Sequence, residues 1–202
     1  MTRIKLCGLS RPCDIAVANE LKPEYIGFVF AQKSRRYITP ERAEELKRLL
    51  SKDIQAVGVF VNETAETVAE LLNNGVINIA QLHGGEDEDY IKQLRTLTDK
   101  PIIKAFRIET ANVIADAENS TADYILLDSG AGAGTVFDWK LIQNIKRPYF
   151  LAGGLSIDNI ENAVKELHPY AVDVSSGIET DGLKDETKTA AFVAAVRKEE
   201  RL

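Results

Sequence analysis

A closed (β/α)8 barrel, an α/β fold, is what this sequence predicts, and three observations carry it. Eight short apolar or β-branched runs alternate with charge-studded segments whose apolar residues fall three and four apart. No Ser/Gly linker, composition break or low-complexity tract divides the 202 residues, so 1–202 reads as one domain. Glycines and polar residues gather just after the runs, on the side where barrels place their chemistry. An open doubly wound sheet also alternates strand and helix. Eight units of about 25 residues match the number that closes a barrel.

Taken in order, the first run is Arg3–Leu6, entering Lys-Leu-Cys-Gly, and Cys13 falls in the first helix, where packing is its simplest role. The second, Tyr25–Phe30, leads into AQKSRRY; Thr39 and Pro40 then open PERAEELKRLL, a capping residue followed by the one residue whose missing N–H costs nothing there. The third, Gln55–Val61, precedes a helical period from Thr64. Ile77–Leu82 runs into QLHGG, and Pro101–Phe106 into KAFR. Tyr124–Asp128 is followed by SGAGAG; Tyr149–Leu151 by AGGL, with Ser156 as the start signal for IDNIENAVKEL. His168, before Pro169 near that helix's end, reads as a surface residue. Ala171–Val174 enters SSGIE, where Gly177–Thr180 offers an extra helical turn before a last helix over Asp185–Arg197.

Composition narrows the function. There are 25 Lys plus Arg against 31 Asp plus Glu, a formal charge of −6. That balance argues against nucleic acid as a partner, since phosphate counterions are displaced by clustered cations. A small anion in a local pocket is still allowed. Two cysteines build neither a disulfide framework nor a zinc cluster. The opening MTRIKLCGLS breaks too soon at Gly8 for a signal peptide, and no run approaches the roughly 18 apolar residues of a membrane span. A reduced, cytoplasmic protein with no membrane partner is expected, as monomer or homodimer.

Residues two apart in a strand share a face, so Lys5 and Cys7 point the same way, as do Gln81 and His83. Asp128 ends a run apolar enough to be buried. A thiol, an imidazole, a carboxylate and a lysine therefore converge on one barrel mouth, an acid–base set with no obvious metal site. Gly153-Gly154 and Ser175-Ser176-Gly177 lie in successive loops after strands seven and eight. The backbone N–H groups of Gly154, Ser176 and Gly177 could cradle a phosphate there, with a helix dipole assisting and no Lys or Arg adjacent. Each residue also has a plainer reading: Cys7 as a buried core thiol, Asp128 as a cap on its glycine loop, LAGGLS as a tight turn.

KLCG, GFVF with Ser-Arg-Arg, VGVFVN, QLHG, KAFR, LLDS with GTVFDW, LAGGL, and VDVSSGIE with a following G-x-KD, in that order and spacing, resemble the phosphoribosylanthranilate isomerase family of tryptophan biosynthesis. The resemblance implies a metal-free, cofactor-free barrel that performs an Amadori rearrangement on a phosphoribosyl substrate. It implies Cys7 as base and Asp128 as acid, with Arg36 holding the anthranilate carboxylate through a two-pronged contact. Lys5 is the expected neighbour that lowers the thiol's pKa, and burial is expected to keep a proton on Asp128. Two departures stand out. Ser34-Arg35-Arg36 replaces the usual Ser-Pro-Arg, leaving Arg35 a rival to Arg36, and Gly132-Ala133-Gly134-Thr135 carries an alanine among the loop glycines. His83 is left either touching substrate or supporting the catalytic groups. A related histidine-pathway isomerase would be expected to carry a carboxylate where Cys7 stands, and indole-glycerol phosphate synthase a leading extension. A non-catalytic sugar-phosphate-binding barrel is the remaining alternative.

Overall fold

Strand β1 (Arg3–Cys7) pairs in parallel with both β2 (Tyr25–Val29) and β8 (Ala171–Val174), and that double pairing closes a barrel. The computed structural model describes residues 1–108, 110–128, 139–142 and 145–198. Between β2 and β8 the wall continues through β3 (Gln55–Phe60), β4 (Ile79–Leu82), β5 (Ile102–Arg107), β6 (Tyr124–Asp128) and β7 (Tyr149–Ala152), each parallel to the next.

The helices around it are α1 (Pro12–Leu21), α2 (Pro40–Leu49), α3 (Ala65–Asn73), α4 (Glu88–Leu97), α5 (Ala111–Asn119), α6 (Ile160–Leu167) and α7 (Glu186–Lys198). Where an eighth helix was expected, between β6 and β7, the described residues show a 3-10 turn at Trp139–Leu141. The Gly132–Thr135 stretch lies outside the described residues. Thr39 and Thr64 cap their helices as expected, accepting from the N–H groups of Arg42 and Thr67. Ser156 does not: it opens a turn whose backbone bonds run on to Ile160, so α6 starts four residues later. Cys13 is exposed, not packed, because α1 turns Asp14, Ile15 and Ala18 inward instead. His168 is the exposed, left-handed cap that ends α6.

Strand alternation sorts the core into layers. Ile4, Leu6, Ile26 and Phe28 point outward and pack with the helices. Tyr25, Val57, Ile79, Ile103, Leu126 and Phe150 fill the interior. Further along the same strands, Cys7, Val29 and Val59 form a small separate cluster at the C-terminal end. After β8 comes a 3-10 turn, Ser176–Ile178, and then a hairpin of β9 (Glu179–Thr180) and β10 (Leu183–Lys184). The expected helical turn therefore ends at Ile178. Asp181 and Gly182 both have positive φ, 51° and 81°, which matches the right-handed twist of a two-residue hairpin turn.

Candidate active site

The C-terminal mouth encloses a cavity of about 290 Å3 reached by Cys7, Arg36, His83, Asp128, Gly154 and Ser176. Cys7 arrives from β1, two residues beyond Lys5, and its position depends on β2. Cys7 and Gly27 are register partners, and a Cβ on Gly27 would lie 2.7 Å from the Cys7 sulfur. The thiol thus fills the volume of a missing side chain.

Lys5 is fully buried and donates to Asp173 Oδ2 at 2.8 Å across the β1–β8 pairing. Lys5 lowers the Cys7 thiol's pKa as expected, but not by enough to bring it below its ordinary value. Burial raises Cys7, Lys5 lowers it, Asp173 raises it again, and the outcome lies above the ordinary thiol value. Lys5 itself is held charged: burial alone would lower it, but Asp173 and Cys7 bring it above its ordinary value. Asp173 offsets part of what the lysine's charge gives the thiol.

Asp128 sits across the mouth at the end of β6. Its neighbours Leu126 and Leu127 are buried, but its own side chain keeps 21% of its surface open. Burial is therefore less complete than the sequence suggested, because strand twist carries the last residue into the rim. His83 Nε2 lies 3.1 Å from Asp128 Oδ2, and Gln81 Nε2 lies 2.7 Å from His83 Nδ1. His83 thus supports the carboxylate.

Arg36 reaches the cavity with its Nε and Nη2 donating to the two oxygens of Glu179, at 2.6 and 2.9 Å. Its end-on face, the Nη1 and Nη2 edge, is not the one that Glu179 occupies. Arg35 also donates to Glu179, yet its side chain is 61% exposed and lies outside the cavity lining. Lys184 completes the set on Glu179 Oε1 at 2.7 Å. Burial alone would raise Glu179, but hydrogen bonds from Arg36 and Lys184 bring it down to about 2. Glu179, Lys184 and Asp173 were missed as site residues. The hairpin that presents Lys184 had a signal, the dipeptide Asp181-Gly182.

On the remaining side, Gly153 and Gly154 both have positive φ and line the cavity with Ser175 and Ser176. Among the described residues no protein group accepts from the backbone N–H groups of Gly154, Ser176 or Gly177. Gly177 does not line the cavity. A Cβ there would fall 2.0 Å from the Leu155 carbonyl oxygen, so this glycine lets two loops meet. Two expectations change here. The three-residue 3-10 turn is too short for much of a helix dipole. The loop is also not free of cations, since Lys184 Nζ donates to the Ser175 carbonyl at 2.9 Å. Among the described residues no three His, Cys, Asp or Glu side chains gather as a metal site.

A family model described as N-(5'phosphoribosyl)anthranilate (PRA) isomerase matches residues 4–195. The chain is 44% identical to N-(5'-phosphoribosyl)anthranilate isomerase of Endomicrobium trichonymphae, over 98% of this chain and 99% of that one. It is 42% identical to the Thermoanaerobacter pseudethanolicus protein of the same name, over 98% of both chains. Among solved structures, phosphoribosyl anthranilate isomerase from Thermotoga maritima superposes with a TM-score of 0.90 at 34% identity, covering 98% of this chain and 100% of that chain. A phosphoribosyl anthranilate isomerase solved with reduced 1-(o-carboxyphenylamino)-1-deoxyribulose 5-phosphate superposes at 0.88, also at 34% identity and the same coverage.

Proposed function

The chain belongs to the N-(5'-phosphoribosyl)anthranilate isomerase family, and from that premise we infer that Cys7 and Asp128 are the base and the acid of its reaction. It is an isomerase of tryptophan biosynthesis, converting N-(5-phosphoribosyl)anthranilate to 1-(2-carboxyphenylamino)-1-deoxyribulose 5-phosphate. The observation that carries the residue roles is the common cavity: thiol and carboxyl face one space, flanked by a guanidinium and by backbone N–H groups for which the described residues supply no acceptor.

Asp128 gives a proton to the ribose ring oxygen as the C1–O bond breaks, and the anthranilate nitrogen's lone pair forms the iminium. The Cys7 thiolate then takes the proton from C2, and those electrons neutralise the iminium to give an enolamine. Tautomerisation yields the ketone. Each transfer is ordinary general acid–base work by groups aimed at one substrate. Arg36 receives the anthranilate carboxylate end-on, its side-on face being held by Glu179. The phosphate sits against the N–H groups of Gly154 and Ser176, with Lys184 nearby as a fixed positive charge. Lys5 keeps the thiolate from becoming prohibitively costly in a buried place. This chemistry requires no cofactor, and the partner is the small phosphoribosyl substrate. Membership of a biosynthetic enzyme family supports a cytoplasmic site of action, and among the described residues no helix is long and apolar enough to cross a membrane.

A fluorescence assay of phosphoribosylanthranilate consumption tests the roles, the substrate being generated in place from anthranilate and phosphoribosyl pyrophosphate. Asp128→Asn and Cys7→Ser should each lose at least about a hundredfold in kcat with KM changed far less. Retention of most of kcat by Asp128→Asn would remove the acid assignment. An unchanged KM in Arg36→Ala would move the carboxylate contact to Arg35.

A further inference from the structure

We propose that Gln81 is a positioning residue that fixes the tautomer of His83, so that the imidazole donates its Nε2–H to Asp128. Gln81 is 1% exposed on β4, with its side chain turned into the barrel beside His83. Its amide nitrogen, 2.7 Å from His83 Nδ1, carries only hydrogens and must donate. Nδ1 is therefore the acceptor and bears a lone pair. A neutral imidazole has one N–H, which then belongs to Nε2, 3.1 Å from Asp128 Oδ2. One tautomer satisfies both contacts.

The opposite arrangement has a different consequence. With the amide turned over, Gln81 Oε1 would demand a proton on Nδ1, and a neutral ring would face the carboxylate with a lone pair. That is tolerable only while Asp128 is protonated. The observed orientation leaves Oε1 buried without a partner among the described residues, so the amide is not placed by its own needs alone. The ring has little freedom to escape. His83 N–H donates to the Phe60 carbonyl, Gly84 N–H donates to Glu86, and Lys104 donates to the Gly84 carbonyl. With Nδ1 facing Gln81 and Nε2 facing Asp128, the tautomer decides whether both contacts are hydrogen bonds.

The inference rests on the acid role given to Asp128 above. When Asp128 has delivered its proton to the ring oxygen, the Nε2–H meets the negative charge that remains. Gln81 touches no reacting atom and acts through His83 alone.

The test is nitrogen-15 NMR of the histidine rings in the full chain at neutral pH. There are two histidines, so His168→Gln, at an exposed position, assigns the spectrum. The expected result is a pyridine-like Nδ1 and a pyrrole-like Nε2 for His83. Gln81→Leu should give a mixture of tautomers, a kcat lower by about tenfold and a KM within about twofold. A proton on Nδ1 in the wild-type protein overturns the proposal, as does Gln81→Leu with tautomer and kcat both unchanged. The wild-type spectrum stands even if the leucine variant fails to fold. If the Nε2–H tautomer is found while Asp128→Asn keeps its kcat, the acid role fails and the tautomer assignment survives.

Discussion

The same eight strands end in two unlike surfaces. At the N-terminal end the interior is closed by rings: Tyr25 and Phe150 at 5.4 Å, Tyr124 stacked on Tyr170 at 5.5 Å, with the Arg3 guanidinium 4.2 Å above Tyr170. At the C-terminal end, a few residues along, the inward positions hold Cys7, Gln81, Asp128 and Asp173 around an open cavity. One strand shows the contrast in three steps. Tyr25 fills space, Gly27 yields it to a thiol, and Val29 borders the cavity. Packing at one end permits a sparsely packed, polar arrangement at the other, since both rest on the same continuous strands.

If the two ends divide stability from chemistry, variants should divide too. The largest effect expected is Cys7→Ser, with kcat reduced by about a thousandfold or more and an unfolding midpoint within about two degrees of wild type. A midpoint that collapsed along with activity would erase the division. Phe150→Ala, at the fully buried centre of the aromatic end, should cost about 3–5 kcal/mol in denaturant unfolding while the folded fraction keeps its kcat.

Gly27→Ala lies on the border. A Cβ 2.7 Å from the Cys7 sulfur must displace the thiol, so kcat should fall by about tenfold or more against about 1–3 kcal/mol of stability. Activity retained there would mean the thiol has room to relocate. The smallest effects are those of pH. Because burial raises the Cys7 thiol, kcat/KM should still be climbing above about pH 8.5, a plateau at neutral pH contradicting the raised value. Glu179, held down at about 2, contributes stability that is present above its unfolded value and lost as pH falls toward 2. Glu179→Gln should flatten the acid limb of the stability curve.

Much of this was legible in the residues, for a simple reason: alternation along a strand fixes which side chains share a face. Lys5 with Cys7, and Gln81 with His83, follow from spacing alone. The direction of the Cys7 shift did not follow, because it depends on how deeply the thiol is buried and on Asp173, 166 positions away in sequence. Arg36 was legible as a candidate through the resemblance, and it does line the cavity, yet its partner Glu179 was not legible. That pairing needs a hairpin to bring Lys184 back over Glu179, and short strands of two residues carry almost no periodic signal. Cys13 misled for the opposite reason, since a free cysteine is so often buried that exposure needs the helix's actual facing to reveal it.

The Lys5–Asp173 ion pair spans 168 positions and lies on the seam where the first strand meets the last. Ser175 adds a second stitch there, its hydroxyl donating to the Cys7 carbonyl. During synthesis, then, the strand that carries Cys7 emerges well before the strand that carries Asp173, and its environment does not exist until β8 has followed. Contacts of such long range form late, after the entropy of closing a very large loop has been overcome. A chain that has not yet reached β8 holds the thiol without the lysine's partner and without a closed wall around it. Closure of the seam between β1 and β8 is the event that gives the thiol its setting.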